Sequence, residues 1–117
     1  VAFRRAVHRL TTPVDQLDRE ELTEFCRVQG FVPIAEIRPR TRAATGGEVR
    51  STRVVPRAGA PALEVTFSDG NGSAIAVFLG RRAIAGMTPG RKLAVAGTAA
   101  LDGRMLLFYN PDYTFLA

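Results

Sequence analysis

Tryptophan is absent from the 117-residue chain, and cysteine, histidine and lysine occur once each, as Cys26, His8 and Lys92. A single cysteine excludes an intramolecular disulfide and gives no sign of an oxidising compartment. Cys26 and His8 together fall short of the roughly four N/S ligands that a structural zinc site needs. No apolar run approaches the ~18 residues of a membrane-spanning helix. No charged-then-apolar signal segment opens the chain, which therefore reads as cytoplasmic. No glycine-rich loop leads into a capped helix in the manner of a P-loop. The hydrophobic content of 46% is too high for a disordered chain.

What is abundant is arginine. The chain holds 16 Lys+Arg against 11 Asp+Glu, a formal charge of +5, and all the basic residues but Lys92 are Arg. A high-G+C genome explains the choice of Arg over Lys. It does not explain position. Residues 1–30 are neutral overall, residues 31–60 carry +4 and residues 61–117 carry +1. The +4 comes from Arg38, Arg40, Arg42, Arg50, Arg53 and Arg57 against Glu36 and Glu48.

The length suits one domain. Residues 1–30 read as a helical extension and 31–117 as a β-domain. Phe3, Val7 and Leu10 have helical spacing, and Thr11-Thr12-Pro13 ends that pattern. A second helix has its start signal at Asp18, with Glu21 completing a capping box and Leu17 and Leu22 placed as a staple. Leu22, Phe25 and Cys26 form an apolar stripe, and Gly30 is a C-terminal stop.

Five strands follow. The first lies within 45–56, with Gly46-Gly47 permitting a bend or bulge. The second is 62–68, with Leu63, Val65 and Phe67 facing inward. Asp69-Gly70-Asn71-Gly72 makes a hairpin. The third is 73–79, with Ile75, Val77 and Leu79 expected on the core face. Gly80–Gly86 reads as a short helix or turn, with Ile84 and Met87 directed inward. The fourth strand is 92–99, Asp102-Gly103 a hairpin, and 104–109 the fifth, closed by Asn110-Pro111. Five strands with a short helix between the third and fourth fit a mainly β, Greek-key barrel of the oligonucleotide/oligosaccharide-binding (OB) type.

Several runs carry a more specific likeness. Gly47-Glu48-Val49-Arg50-Ser51, residues 63–72 (LEVTFSDGNG), residues 89–97 (PGRKLAVAG) and Asn110-Pro111-Asp112-Tyr113 resemble the wedge domain of RecG-type branch-migrating helicases. The stretch 31–57 resembles small stand-alone bacterial OB-fold proteins. The resemblance covers roughly residues 45–115. It implies binding of nucleic acid without ATP chemistry, since no helicase motor is present.

The charges suggest where such binding would occur. Arg38, Arg40 and Arg42 alternate and would share one face of an extended segment. Arg50 should point outward beside an inward Val49. Arg57 falls in the loop between strands one and two, and Arg104 after the turn between strands four and five. Those loops flank the usual OB groove. With Arg53, these residues would contact the phosphates of DNA in preference to RNA. Phe78 is the one ring expected on the outward face of strands two and three, where Glu64 would repel phosphate; Tyr109 and Tyr113 are further candidate stacking rings, at the barrel's closing end. Cys26 and His8 lie outside the barrel. Glu20, Glu21 and Glu24 read as a solvated helix face, and Asp69, Asp102 and Asp112 as turn residues. No enzyme, metal or cofactor is therefore expected. Strands three and five are apolar on both faces, so something must cover the second face. Either the N-terminal helices do so, through Leu22 and Phe25, or a second copy or another protein does. The latter is the rival reading, an interaction or oligomerisation module.

Overall fold

The computed structural model describes residues 14–116. His8 and the expected helix over residues 3–10 lie outside them. Helix α1 (Val14–Gln29) precedes a 3-10 turn (Ile34–Glu36) and six strands: β1 (Arg42–Arg57), β2 (Ala60–Ser68), β3 (Ser73–Leu79), β4 (Lys92–Asp102), β5 (Met105–Tyr109) and β6 (Asp112–Phe115).

α1 starts earlier than its capping box suggested, so Asp18 lies within the helix. Acidic residues favour the first turns of a helix through its dipole whether or not they cap it. The stop at Gly30 is as expected. Gly30 N donates to Arg27 O and Phe31 N to Cys26 O, the paired bonds of a Schellman motif, with Gly30 at φ +77°. Leu22 and Cys26 are buried. The helix meets the strands at Gly46, where the Cys26 thiol faces the carbonyl, and at the β2–β3 turn, where Asn71 Nδ2 donates to Thr23 Oγ1 at 3.2 Å. Burial and the nearby Asp69 push the Cys26 thiol up to about 11, with Lys92 opposing, so it stays protonated at neutral pH.

β1 to β5 close into a ring in the order β1-β2-β3-β5-β4, with β4 returning to β1. All neighbours are antiparallel except β3 and β5. The 16-residue β1 makes closure possible by serving two partners. Its first half pairs with β4 and its second with β2, and Glu48 pairs with both Lys92 and Ser68. The register shift falls at Arg50, between Val49 and Ser51, three residues past the Gly46-Gly47 pair where a bend or bulge was expected and where the pairing with β4 is regular. Val49 is fully buried and Arg50 exposed, as the alternation suggested.

The ring encloses Val49, Leu63, Val65, Phe67, Ala74, Ala76, Phe78, Leu93, Val95 and Phe108. β3 therefore faces the opposite way from its expected orientation. Phe78, Ala76 and Ala74 stand opposite Leu63, Val65 and Phe67. Ser68 pairs with Ser73 across a four-residue turn, so odd positions of β2 oppose even positions of β3. Phe78 lies inside the ring, 4% exposed, edge-on to Tyr113 at 5.4 Å, and offers no outward stacking surface.

Between β3 and β4 the chain makes turns and no helix. Gly80 and Gly86, at the two ends of the expected helix, sit at φ +76° and +83°, left-handed conformations that a right-handed helix cannot propagate through. Ile84 and Met87 still point into the core from these turns. β6 is an unexpected strand. Asn110, at φ +46°, kinks the chain, which then continues along β4 through the pairs Ala96–Asp112 to Leu93–Phe115. Among the described residues, no helix is long and apolar enough to cross a membrane.

Candidate nucleic-acid interface

The outer surface of the ring brings two of the sequence-selected arginines, Arg53 and Arg57, together on one carboxylate. The β1–β2 turn is tighter than expected, with only Ala58 and Gly59 between the strands. Arg57 is consequently the last residue of β1, half-buried, and not part of a loop. The same turn sets the pair Arg53–Glu64, and β2 and β3 set Glu64–Val77, and β3 and β5 set Val77–Tyr109. Arg53, Glu64, Val77 and Tyr109 thus form a transverse row.

Glu64 is its electrostatic centre. Its side chain is only 5% exposed. Arg53 Nε donates to Oε1 at 3.0 Å, and Arg57 Nη2 to Oε2 at 2.9 Å. Arg57 Nη1 also donates to Tyr109 Oη at 3.1 Å. Its guanidinium carbon lies 5.6 Å from the ring centroid. Arg57 spans Glu64 and Tyr109, the two residues that flank Val77 in the register. Val77 is fully buried and Leu107 nearly so. The second face of β3 and β5 is therefore largely closed by the chain's own neighbours. α1 does not lie there.

Burial alone would raise the Glu64 pKa, but the hydrogen bonds from Arg57 and Arg53 outweigh it and hold the carboxyl below its usual value of 4.5. A group depressed in the folded state stabilises above its unfolded pKa, and that stability is lost as pH falls through the folded pKa. Glu64→Gln is expected to be less stable by about 1–2 kcal/mol at pH 7. The gap should narrow progressively below pH 4.5, which urea midpoints measured down the acid range will read. A gap of constant size would remove Glu64 as the centre of this network.

Arg38, Arg40 and Arg42 do not share an extended face. Residues 39–41 form a turn in which Thr41 Oγ1 donates to Arg38 O at 2.6 Å. Pro39 followed by a residue at positive φ is the pattern of a type II turn, and Arg40 takes that position at φ +67°. Arg40 N donates to Ala99 O at 2.7 Å, fixing the turn against β4. Arg42 begins β1 and pairs with Asp112 at 3.3 Å on the surface. Arg50 lies away from this group and pairs with Glu48, which also faces Lys92 at 3.9 Å. Arg104 is exposed in the β4–β5 turn. Among the described residues, Arg38, Arg40 and Arg104 are exposed and make no ion pair.

Beside the Arg40 turn runs an open groove of about 820 Å³. Ala99, Ala100 and Leu101 of β4 line it, with Pro39 and Arg40 on one side and Tyr109 on the other. Glu64 as a two-arginine anchor was not expected, whereas Tyr109, a candidate ring at the barrel's closing end, forms a wall of the groove. The register of a two-residue β1–β2 turn is the signal that would have found the Glu64 anchor. No group of three or more potential metal ligands exists among the described residues. The chain matches no protein-family model and none of the curated proteins.

Proposed function

We propose that this domain is a non-catalytic nucleic-acid-binding module of the OB type, gripping phosphates through arginine. The observation that carries the reading is Arg40, exposed and without an ion pair on the wall of an open groove, with Arg38 in the same segment and Arg104 in the β4–β5 turn also exposed and without ion pairs among the described residues. Exposed guanidinium groups free of carboxylates are available to displace counterions from a phosphate backbone. The strand order, with β1 joined to both β2 and β4, supports the OB assignment. Arg42, Arg50, Arg53 and Arg57 would add to the field while remaining tied to their carboxylates.

The test is fluorescence anisotropy with labelled single-stranded, duplex and forked DNA and with RNA across a salt series. Strands of roughly 16 nucleotides span the site sizes known for OB folds. Binding should weaken steeply with salt. The triple variant Arg38→Ala, Arg40→Gly, Arg104→Ala should lower the log–log salt slope for a single strand by about 2. Glycine at position 40 suits its positive φ, so the variant removes charge without disturbing the turn. Absence of binding at low salt overturns the reading. An unchanged slope moves the contacts to another face.

The oligomerisation reading rests on Leu79, which is 45% exposed on the same face of β3 as the buried Val77. Sedimentation of the isolated chain as a monomer at tens of micromolar would remove it.

A further inference from the structure

The outer face of β2 and β3 is poorly made for a nucleic-acid strand. Its residues include Ala62, Glu64, Ile75 and Val77, with no ring among them, and Glu64 places a fixed carboxylate at its middle. Phe78 faces inward. The groove beyond β5 has the opposite character. Tyr109 is 44% exposed there. Arg57 holds the phenol from the β2 side by a hydrogen bond, and is itself held by Glu64. The groove opens on the other side of Tyr109, toward β4. Small Ala99 and Ala100 line that opening, and Arg40 stands across from the ring. Arg40 keeps a left-handed backbone, a conformation that strains a non-glycine residue and collects at ligand sites. The groove volume falls in the roughly 300–1,000 Å³ range of small-ligand sites.

Resting on the nucleic-acid reading, we infer that this groove takes one unpaired nucleobase, stacked on Tyr109, with an adjoining phosphate at Arg40. The ligand class is therefore single-stranded nucleic acid, entering along β4 and β5 and not across β2 and β3. A flat ring fixed at one edge gives a base a platform, and a cation opposite it matches the phosphate that every base carries. A base stacked inside a duplex cannot reach the groove.

The chain supplies its own reporter, because it has two tyrosines and no tryptophan. In a Tyr113→Phe background Tyr109 is the only tyrosine. An oligothymidylate should quench its emission, after correction for absorbance. An abasic strand of equal length and a duplex should bind by anisotropy without quenching. Tyr109→Ala should weaken oligothymidylate binding about tenfold and leave abasic binding unchanged, while Tyr109→Phe retains most of the affinity. Ala100→Leu, which fills the groove without touching Tyr109's hydrogen bond, should also abolish the preference for bases over abasic sites. Equal affinity for thymidine and abasic strands in the parent, or quenching by the duplex, overturns the inference and leaves the phosphate reading intact. Binding of no strand at low salt overturns both.

Discussion

Gly47→Ala is expected to lower the stability of the domain by at least about 3 kcal/mol, more than any other single methyl added to the ring. A Cβ at this position would fall inside contact distance of the Ser68 carbonyl oxygen and carbon, which are backbone and have no side-chain rotation with which to yield. The crowding follows from topology. Gly47 pairs with Leu93 of β4, and the next residue pairs with both β4 and β2. Three strands therefore converge at the point where β1 changes partner. For a domain of this size the loss corresponds to a fall in Tm of roughly 10 °C or more. Urea unfolding with an unchanged m-value will measure it directly. A variant within about 0.5 kcal/mol of the parent would show that the strands do not converge this closely.

Asp69→Ala is expected to be the costliest change of a polar side chain, about 3 kcal/mol. Asp69 is 6% exposed. Its Oδ1 accepts from Asn71 N at 3.0 Å and Gly72 N at 2.8 Å, closing the β2–β3 turn. Its Oδ2 accepts from Ile34 N at 2.8 Å, tying the segment after α1 to that turn and seating Ile34 in the core. Hydrogen bonds to an ionised acceptor are worth roughly 1.5–3 kcal/mol each, partly replaced by water when lost at a turn. Asp69→Asn separates the two functions. It can keep the turn contacts on its carbonyl oxygen but presents an amide donor to Ile34 N. It should therefore fall between the parent and Asp69→Ala in thermal melts. Equal losses for Asn and Ala would place all the energy in one oxygen, contrary to the geometry.

The fold was legible in the sequence wherever local chemistry decides it. The D-G-N-G turn, the bounds of β3 and the stop at Gly30 all follow from short-range signals. What failed was the joining of correct local readings. An even number of turn residues forces odd positions on one strand to face even positions on the other. Applied between Ser68 and Ser73, that parity puts Phe78 with Leu63 inside the ring. Applied between Arg57 and Ala60, it puts Arg53 opposite Glu64. Alternation read strand by strand cannot see either result, because β3 has apolar residues on both faces. The helix expected after β3 was lost to left-handed glycines at both of its ends, Gly80 and Gly86. β6 was hidden behind Asn110-Pro111, which looks like an end and is a kink. The arginine cluster was visible as composition, but its division into paired and unpaired members depends on carboxylates distant in sequence. Arg57 answers to Glu64 and Arg42 to Asp112, while Arg40 answers to none of the described carboxylates.

The parallel pairing of β3 with β5 also governs the order in which a nascent chain can assemble. β1, β2 and β3 are joined by short turns and can zip together as soon as they leave the ribosome. Residues 74–77 must then wait for residues 106–109, made about thirty positions later, before their second edge is filled. In the interval β3 presents a bare, apolar edge, the kind of surface on which copies of a chain recruit one another. β5 thus acts as a latch, and truncation before Met105 should convert a closed domain into an aggregating one.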